Sequence, residues 1–552
     1  MLIEPAPAAA VAEQDPPERS RALPARTPRW VAAGLAAAVL APFALLAGRV
    51  AVTGRQVFLN GDLALIDVQA HRAAAWQLAL GPYDRYGWHH PGPVFLYLVA
   101  AAQRVVGTSH GAQAEVCTAV MVNGLALASV VYVLARRLGT RPGLAALSAS
   151  LVVAAGLGPA FLTSAWNPCV VLLPLFLCGV LAALSMLGSA TAWCAALLVG
   201  TFAVQTDVGT VPFVVLVVGT AGVVVGWRLR RGRAVDTSPA AMAVLLAATA
   251  VCWAPVLSQQ WRGPRGNLAA IARFLEDGGA HAGPVTGLSA TGYGLAGPLH
   301  LLVPAAPSNP SLLAWLRTQI VVQRWPGIVA SVLAVAALSG LLWATRRRRD
   351  GSAAVTWAAS AGFVAAVCAG AAVIGPAFRW LLAWAGAVTA LVLLAGALVV
   401  AGARLLDRRG AARALGVLVA AGALAATVAG ATVGDGLGSD PAVAQAWARL
   451  SPVVARHPHP VVGLLLDTTG MALAGGVEDQ LAATGVLFEV PARWENQYTS
   501  DSSATPTVRI ALGAQTPPGY VRLATVGGVA VSYAEGSGPM SSSTWTTSEK
   551  RL

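Results

Sequence analysis

The sequence predicts a polytopic α-helical membrane protein with about 11 transmembrane helices, an interfacial helix in the first outer loop and a small C-terminal extracytoplasmic α/β domain. Three observations carry that prediction. Hydrophobic residues make up 56% of the chain, charged residues only 11%, and the mean hydropathy is +0.65, whereas a soluble domain carries about a quarter charged residues. Apolar runs of about 20 residues, enough to cross the hydrocarbon, recur along most of the 552 residues. Arginine clusters punctuate these runs at intervals that fit one consistent topology. Disordered, coiled-coil and collagen-like chains are excluded.

Residues 1–29 are rich in Pro, Ala and Arg, with Arg19, Arg21, Arg26 and Arg29 just before an apolar run from Trp30 to about Gly48. They read as a disordered basic cytoplasmic tail before a signal anchor, because the run is too long for a cleavable h-region and no small-residue cleavage site follows. Further clusters fall at Arg136, Arg137 and Arg141, at 228–233, at 346–349 and at 404–413. With all of them cytoplasmic, an even number of crossings must separate neighbours. Four spans are read between the first two clusters, near 143–162, 168–187, 190–205 and 209–227. Two follow near 239–257 and 326–345, and two near 353–374 and 379–403.

Three apolar stretches, 30–48, 91–107 and 112–135, precede Arg136. The middle one is the shortest, opens with Pro-Gly-Pro and contains Gln103 and Arg104, so it is read as an amphipathic helix in the outer interface. A last span near 413–433 completes a membrane domain of 30–433 with outer loops at 49–111 and 258–325, and leaves an extracytoplasmic domain at 434–535. In that domain PVVGLLLDT, GVLFEV, TVRIAL and VAVSYA read as strands and GMALAGGVEDQLAAT as a helix. Residues 536–552 read as a disordered Ser/Thr-rich tail. No repeat at a fixed period suggests inverted transporter halves.

The net charge of +13 arises from 37 basic and 24 acidic residues. Ten acidic and seven basic residues in 434–552 leave 30 basic and 14 acidic in 1–433, so the excess positive charge belongs to the membrane part and is not a nucleic-acid patch. The six cysteines lie in or beside apolar segments without a CxxC motif, a pattern that offers no disulfide or zinc framework.

The densest polar chemistry is in the first outer loop, where Asp62, Asp67, His71, Arg72, Asp84, Arg85, His89 and His90 fall within about 30 residues. Asp62 follows Asn60-Gly61 and precedes a helical run, so it reads both as an N-cap and as a carboxylate kept ionised for general-base work. Asp67 and His71 are spaced to touch on one helix face, as a structural pair or as part of a site. Tyr83, Tyr86 and Trp88 read as interface-belt aromatics. Arg72, Arg85, His89 and His90 are four potential cations suited to acidic neighbours or to a polyprenyl phosphate.

An Asp just after the first span, an Arg ten residues on, a Gly-Pro-aromatic turn and a basic residue with proline opening an interfacial helix together resemble the first loop of the GT-C glycosyltransferases. The likeness is greatest to the branch of protein O-mannosyltransferases and lipid A aminoarabinose transferases. Here these residues are Asp62, Arg72, Gly81-Pro82-Tyr83 and His90-Pro91-Gly92-Pro93. Trp166-Asn167-Pro168 and Gln205-Thr206-Asp207-Val208-Gly209 continue the likeness at two outer corners, although the family commonly places Lys or His where this chain has Asp207. APVLSQQWRGPRGNL and Phe378-Arg379-Trp380 are similar to actinobacterial-type membrane proteins of this group. The resemblance covers roughly 30–433.

What it implies is an inverting transfer of a sugar from a polyprenyl-phosphate donor to a hydroxyl acceptor of the cell envelope, at the outer face of the plasma membrane. Asp62 is implied as base, with Asp67 as second candidate. Arg72, Arg85, His89, His90 and Arg379 are implied as donor-phosphate ligands, Arg379 reading also as an interface anchor. The resemblance is compatible both with cation-free chemistry, in which arginines neutralise the phosphate, and with a divalent cation between carboxylates and phosphate. Two rival classes remain, a lipid or sugar transporter or flippase and a non-catalytic cell-envelope scaffold.

Overall fold

The computed structural model describes residues 27–84, 86–107, 110–262, 266–299, 320, 324–348, 350–402, 437–467, 469–490 and 505–536. Among them, nine helical segments are long and apolar enough to cross a membrane. The chain opens with α1 (Arg29–Ala51), the first-loop helices α2 (Gly61–Ala74) and α3 (Val94–Val106), and then α4 (Gly111–Leu138) and α5 (Thr140–Leu162). A short α6 (Asn167–Val170) leads into α7 (Leu172–Met186), followed by α8 (Ala190–Thr206), α9 (Val211–Arg230) and α10 (Pro239–Arg262). Two helices, α11 (Asn267–Asp277) and α12 (Gly283–Ala296), precede α13 (Arg324–Thr345), α14 (Gly351–Ala371), a 3-10 segment Arg379–Ala385 and α15 (Gly386–Gly402). The expected span near 190–205 is α8, whose 17 residues make it shorter than the nine. The expected span near 413–433 lies outside the described residues.

Position in the bundle follows from side-chain distribution. Helix α7, LLPLFLCGVLAALSM, is buried from Leu172 to Ser185 and is the centre of the bundle, as a helix apolar all round must be. Helix α10 leaves Val244, Leu246, Val251 and Leu257 exposed, which suits contact with lipid. Helix α3 buries Phe95, Leu96, Val99, Ala100 and Gln103 while exposing Leu98 and Val105. Its 13 residues extend about 20 Å, too short to cross the hydrocarbon. Among the described residues, the segments that carry the clusters at 136–141, 228–233 and 346–348 meet at one end of the bundle. Arg137 pairs with Asp236, Arg136 donates to the Thr27 carbonyl, and Gly351 packs on Leu138.

Helix α12 departs from the expected polar loop. Its Gly287 and Ser289 to Ala296 are buried among α13, α14 and the 3-10 segment. A hydropathy window misses it because its interior is Gly, Ser, Thr and Ala, and it is buried through backbone proximity instead of aliphatic bulk. Gly292 lies directly on the Gly327 backbone, where a Cβ would collide with the carbonyl. Ser289 Oγ donates to the Arg324 carbonyl at 3.0 Å and Ser331 Oγ to the Leu288 carbonyl at 2.7 Å.

The C-terminal module contains α16 (Pro441–Val454), β1 (Val461–Leu466), α17 (Met471–Ala483), β2 (Leu487–Glu489), β3 (Val508–Gly513), β4 (Val521–Val526) and β5 (Val529–Glu535). Its sheet has the order β2-β1-β3-β5-β4, with β1 parallel to both β2 and β3 and β5 antiparallel to β3 and β4. The all-apolar VVGLLL of β1 fits a central parallel strand covered on both faces. Gly527 and Gly528, at φ +56° and +84°, turn β4 back into β5.

Helix α2 joins these parts. Its Ile66, Ala70 and Ala73 enter the main bundle core, its Leu65 and Val68 enter the module core, and its Ala64 enters a third cluster with Val50 and Val116. A Gly292→Val substitution should cost about 1–3 kcal/mol by overpacking and lower the Tm measured in detergent, whereas the same change at Gly340, which faces open space, should be near neutral.

Candidate active site

The backbone ahead of α2 is extended at Asn60, whose Oδ1 accepts from the Gly61 N–H at 2.6 Å. Asn60 is therefore the N-cap, and the adjacent Asp62 carboxylate is left for other partners. Both its oxygens are occupied. Tyr83 Oη donates to Oδ1 at 2.7 Å and Trp166 Nε1 donates to Oδ2 at 2.8 Å. Two rigid aromatic donors from separate segments thus orient one half-buried carboxylate, which also sits in the first turn of α2 where the helix dipole favours negative charge.

Tyr83 is positioned by a hairpin-like turn. Gly81 N–H donates to the His90 carbonyl at 3.0 Å, His90 N–H to Pro82 at 2.8 Å and Asp84 N–H to Trp88 at 2.8 Å. Position 81 needs glycine because a Cβ would lie 2.7 Å from the carbonyl oxygens of both His90 and Gly92. The turn is fixed to its surroundings by His89 and His90. Asn267 brackets the His89 backbone, accepting from its N–H and donating to its carbonyl, each at 2.8 Å. His90 Nδ1 accepts from the Val208 N–H at 3.0 Å, so the neutral ring carries its proton on Nε2, and Nε2, 3.0 Å from the Asn167 side-chain amide, then donates to that amide with its oxygen turned towards the ring. Burial pushes the His90 pKa down to about 3, with His89 adding to the effect. Burial lowers His89 also, against a hydrogen bond to Gly81 and with the Arg72 guanidinium nearby. Neither histidine supplies the positive charge that its residue type alone suggested.

Asp67 stands apart from Asp62. Five residues along one helix place the two carboxylates about 140° apart around its axis. Asp67 is 3% exposed, accepts from Gln103 Nε2 at 2.6 Å, and lies against Gly111 at the start of α4. His71 Nδ1 is 3.7 Å from its Oδ2. Arg379 stacks its guanidinium 4.3 Å over the Tyr293 ring, and its buried Nε finds no hydrogen-bond acceptor among the described residues. Its neighbour Trp380 stacks on Phe378 at 4.3 Å and meets Trp166 at 5.7 Å. The structure therefore gathers Asp62, Tyr83, Trp166 and Trp380 in one place and brings Arg72 to His89. Arg85 lies outside the described residues. Among those residues, no group of three or more His, Cys, Asp or Glu side chains is arranged to hold a metal ion.

Sequence reasoning read Tyr83 and Trp88 as belt aromatics. Tyr83 instead holds Asp62, and Trp88 is 7% exposed between His90 and Phe274. Trp166 was visible as a motif, but its partner is 104 positions away and no local pattern reveals that bond. Asn267 and Tyr293 carry no sequence signal of their own. At the neighbouring corner Asp207 is 6% exposed and accepts from the Gly209 N–H at 2.9 Å. Burial pushes its carboxyl up to about 7 despite that hydrogen bond, with the Asp84 charge adding to the rise.

No protein-family model and no curated protein matches the chain. Among solved structures, ArnT from Cupriavidus metallidurans bound to undecaprenyl phosphate is similar at a TM-score of 0.50 and 12% identity, over 90% of this chain and 98% of that one. The apo form of the same protein scores 0.47 at 13% identity, covering 89% and 97%. The oligosaccharyltransferase AglB from Archaeoglobus fulgidus, in complex with an inhibitory peptide and a dolichol-phosphate, scores 0.39 at 14% identity, covering 80% of this chain and 63% of that one. The first of these likenesses shows the fold, which this chain shares with that ArnT structure. Because folded Asp207 holds its proton more tightly than an unfolded chain would, its contribution to stability is greatest at low pH and is lost as pH rises towards about 7. Tm should accordingly fall between about pH 5 and pH 8, and Asp207→Asn should make that slope shallower; equal slopes would remove Asp207 as a source.

Proposed function

We propose that this multi-pass membrane protein is a glycosyltransferase that moves a sugar from a polyprenyl-phosphate donor to a hydroxyl acceptor of the cell envelope, a glycan, lipid or protein, with inversion at the sugar. The observation that carries this reading is the Asp62 carboxylate, held through both oxygens by Tyr83 and Trp166. It lies where the first loop, the Trp166-Asn167-Pro168 corner and the Phe378-Arg379-Trp380 segment converge.

A glycosyl phosphate already carries a good leaving group, so the protein must orient an acceptor, remove its proton and stabilise the departing charge. In the proposed step Asp62 takes the acceptor hydroxyl proton as the new bond forms to the anomeric carbon. The bond from that carbon to the phosphate oxygen breaks on the opposite face, which inverts the centre and releases polyprenyl phosphate. A carboxylate fixed by two donors loses little orientation freedom in reaching this geometry. Asp67, buried and turned away, is assigned to positioning. The charge on the phosphate is assigned to Arg72 and Arg379, with Arg85 beside Asp84 in sequence as a third cation. His89 and His90, with pKa values lowered by burial, act by shaping the loop and as neutral hydrogen-bonding groups.

The arginine-rich end of the bundle lies opposite the first loop. The positive-inside tendency thus supports a cytoplasmic N-terminus and an extracytoplasmic site and C-terminal module. Asp62→Asn should retain its fold and bind donor while losing about 10²–10⁴ in turnover, the usual worth of a general base. Tyr83→Phe and Trp166→Phe should each lose about 10- to 100-fold, the worth of one hydrogen bond to a charged group. Native mass spectrometry against a panel of polyprenyl-phosphate sugars, followed by single-turnover assays, checks both. Full turnover by Asp62→Asn would refute the base assignment, and absence of donor binding would favour transport or scaffolding.

A further inference from the structure

The C-terminal module grips the very helix that presents Asp62. At the helix start, Asn60 Nδ2 donates to Asp440 Oδ2 at 2.6 Å while Asp440 Oδ1 caps α16 through the N–H groups of Ala442 and Val443 at 2.7 and 3.2 Å. Alongside, the Asp440 N–H donates to the Phe58 carbonyl at 2.8 Å, the Phe58 N–H donates to Ser439 Oγ at 3.1 Å, and Arg55 donates to the Leu437 carbonyl. Helix α17 crosses α2 at Gly475-Gly476, so closely that a Cβ on Gly476 would stand 2.6 Å from the Leu59 carbonyl oxygen. One turn further on, Leu65 and Val68 enter the module core.

The far end of this contact is a carboxyl pair. Asp67 of α2 and Asp479 of α17, each 3% exposed, are buried in the same α2–α17 seam, where Asp479 Oδ2 accepts from Gln480 Nε2 at 3.1 Å and the Asp67 charge acts on the Asp479 carboxyl; two such carboxyl groups can bond to one another only while they hold a proton between them. Every packed element contributes to the surroundings: His71 on α2, Gln103 on α3, Glu115 at the start of α4, and Glu478 and Gln480 on α17. Glu115 is 2% exposed and its Oε1 meets no hydrogen-bond partner among the described residues. Resting on the reading of Asp62 as the base, we infer that the C-terminal module is a positioning element of the active site, its Asp440 and Asp479 holding α2 in register, and that the Asp67–Asp479 contact makes this hold tighter in acid than in alkali.

The sign follows from the chemistry. Burial, then the Asp67 charge, raises Asp479 well above the usual carboxylate range. Below that raised value the shared proton is present and α2 is gripped at both ends. As pH rises through it the proton leaves, two buried carboxylates face one another beside Glu115, and the contact weakens. Asp62 then remains on a helix held at its N-terminus alone.

Hydrogen–deuterium exchange of the 61–74 segment in the full-length protein tests this without reference to activity. After correction for intrinsic exchange, protection should fall with rising pH by up to about tenfold per unit between the ordinary carboxylate range and the raised value of the buried pair, and should level off above it. Asp479→Asn, whose amide can donate to Asp67 at any pH, should abolish that dependence, and Asp440→Ala should lower protection at the first turn at all pH values. Protection independent of pH in the unaltered protein, or the same dependence in Asp479→Asn, would overturn the inference. Should Asp479→Asn not fold, Asp67→Asn supplies the reciprocal donor and is held to the same outcome. In turnover assays the alkaline fall in kcat should move to higher pH in Asp479→Asn with KM unchanged. If Asp62→Asn proved active while the exchange results held, the base assignment would fail and the module's grip on α2 would stand.

Discussion

A 14-residue helix that belongs to three apolar cores at once is the constraint on which the molecule is arranged. Helix α2 has no unpartnered apolar side: Ile66 and Ala70 face the bundle, Leu65 and Val68 face the module, and Ala64 faces the α1 and α4 ends. Its polar residues must therefore emerge where these packing surfaces leave gaps. Asp62 emerges at the N-terminal gap, beside Trp166 and Tyr83, and Asp67 at the seam between membrane and module. Their different surroundings come from one geometric fact, the angular offset of five residues on an α-helix.

Much of the architecture was legible because it is written in periodicity. The apolar runs gave most of the spans close to their observed limits, and VVGLLL, LFE, VRIALG and VAVSYAE carry the strand signal at the places where the strands lie. Helix α12 was illegible because its residues are small and polar enough to resemble a loop, and its burial depends on how closely Gly292 and Gly327 approach. The strand order was equally hidden, since β1 pairs with β3 across more than 40 residues and nothing local encodes that choice.

The candidate site was legible in its residues and illegible in its electrostatics. Asp62, Arg72, Tyr83, His90 and Trp166 all stood out by type and spacing. Spacing cannot report that His90 is enclosed between Asn167 and Val208, and enclosure is what makes a charged imidazole too costly to keep. Two histidines that suggested a phosphate receptor are instead pins that hold a turn. Guanidinium groups, whose charge survives burial, are the cations that the proposed function assigns to the phosphate.

Helix α12 precedes α13 and α14 in the chain and yet packs on both, with Tyr293 at its end carrying Arg379. A segment this poor in aliphatic side chains has little tendency to partition into lipid by itself, and its binding surface does not exist until the two later helices have been synthesised. Its docking is thus a late event in biogenesis, completed by backbone fit after neighbouring helices have inserted. The Arg379 corner is accordingly among the last parts of the protein to be built, and a chain stalled before α14 would possess the Asp62 helix without Arg379 and the Tyr293 ring docked beneath it.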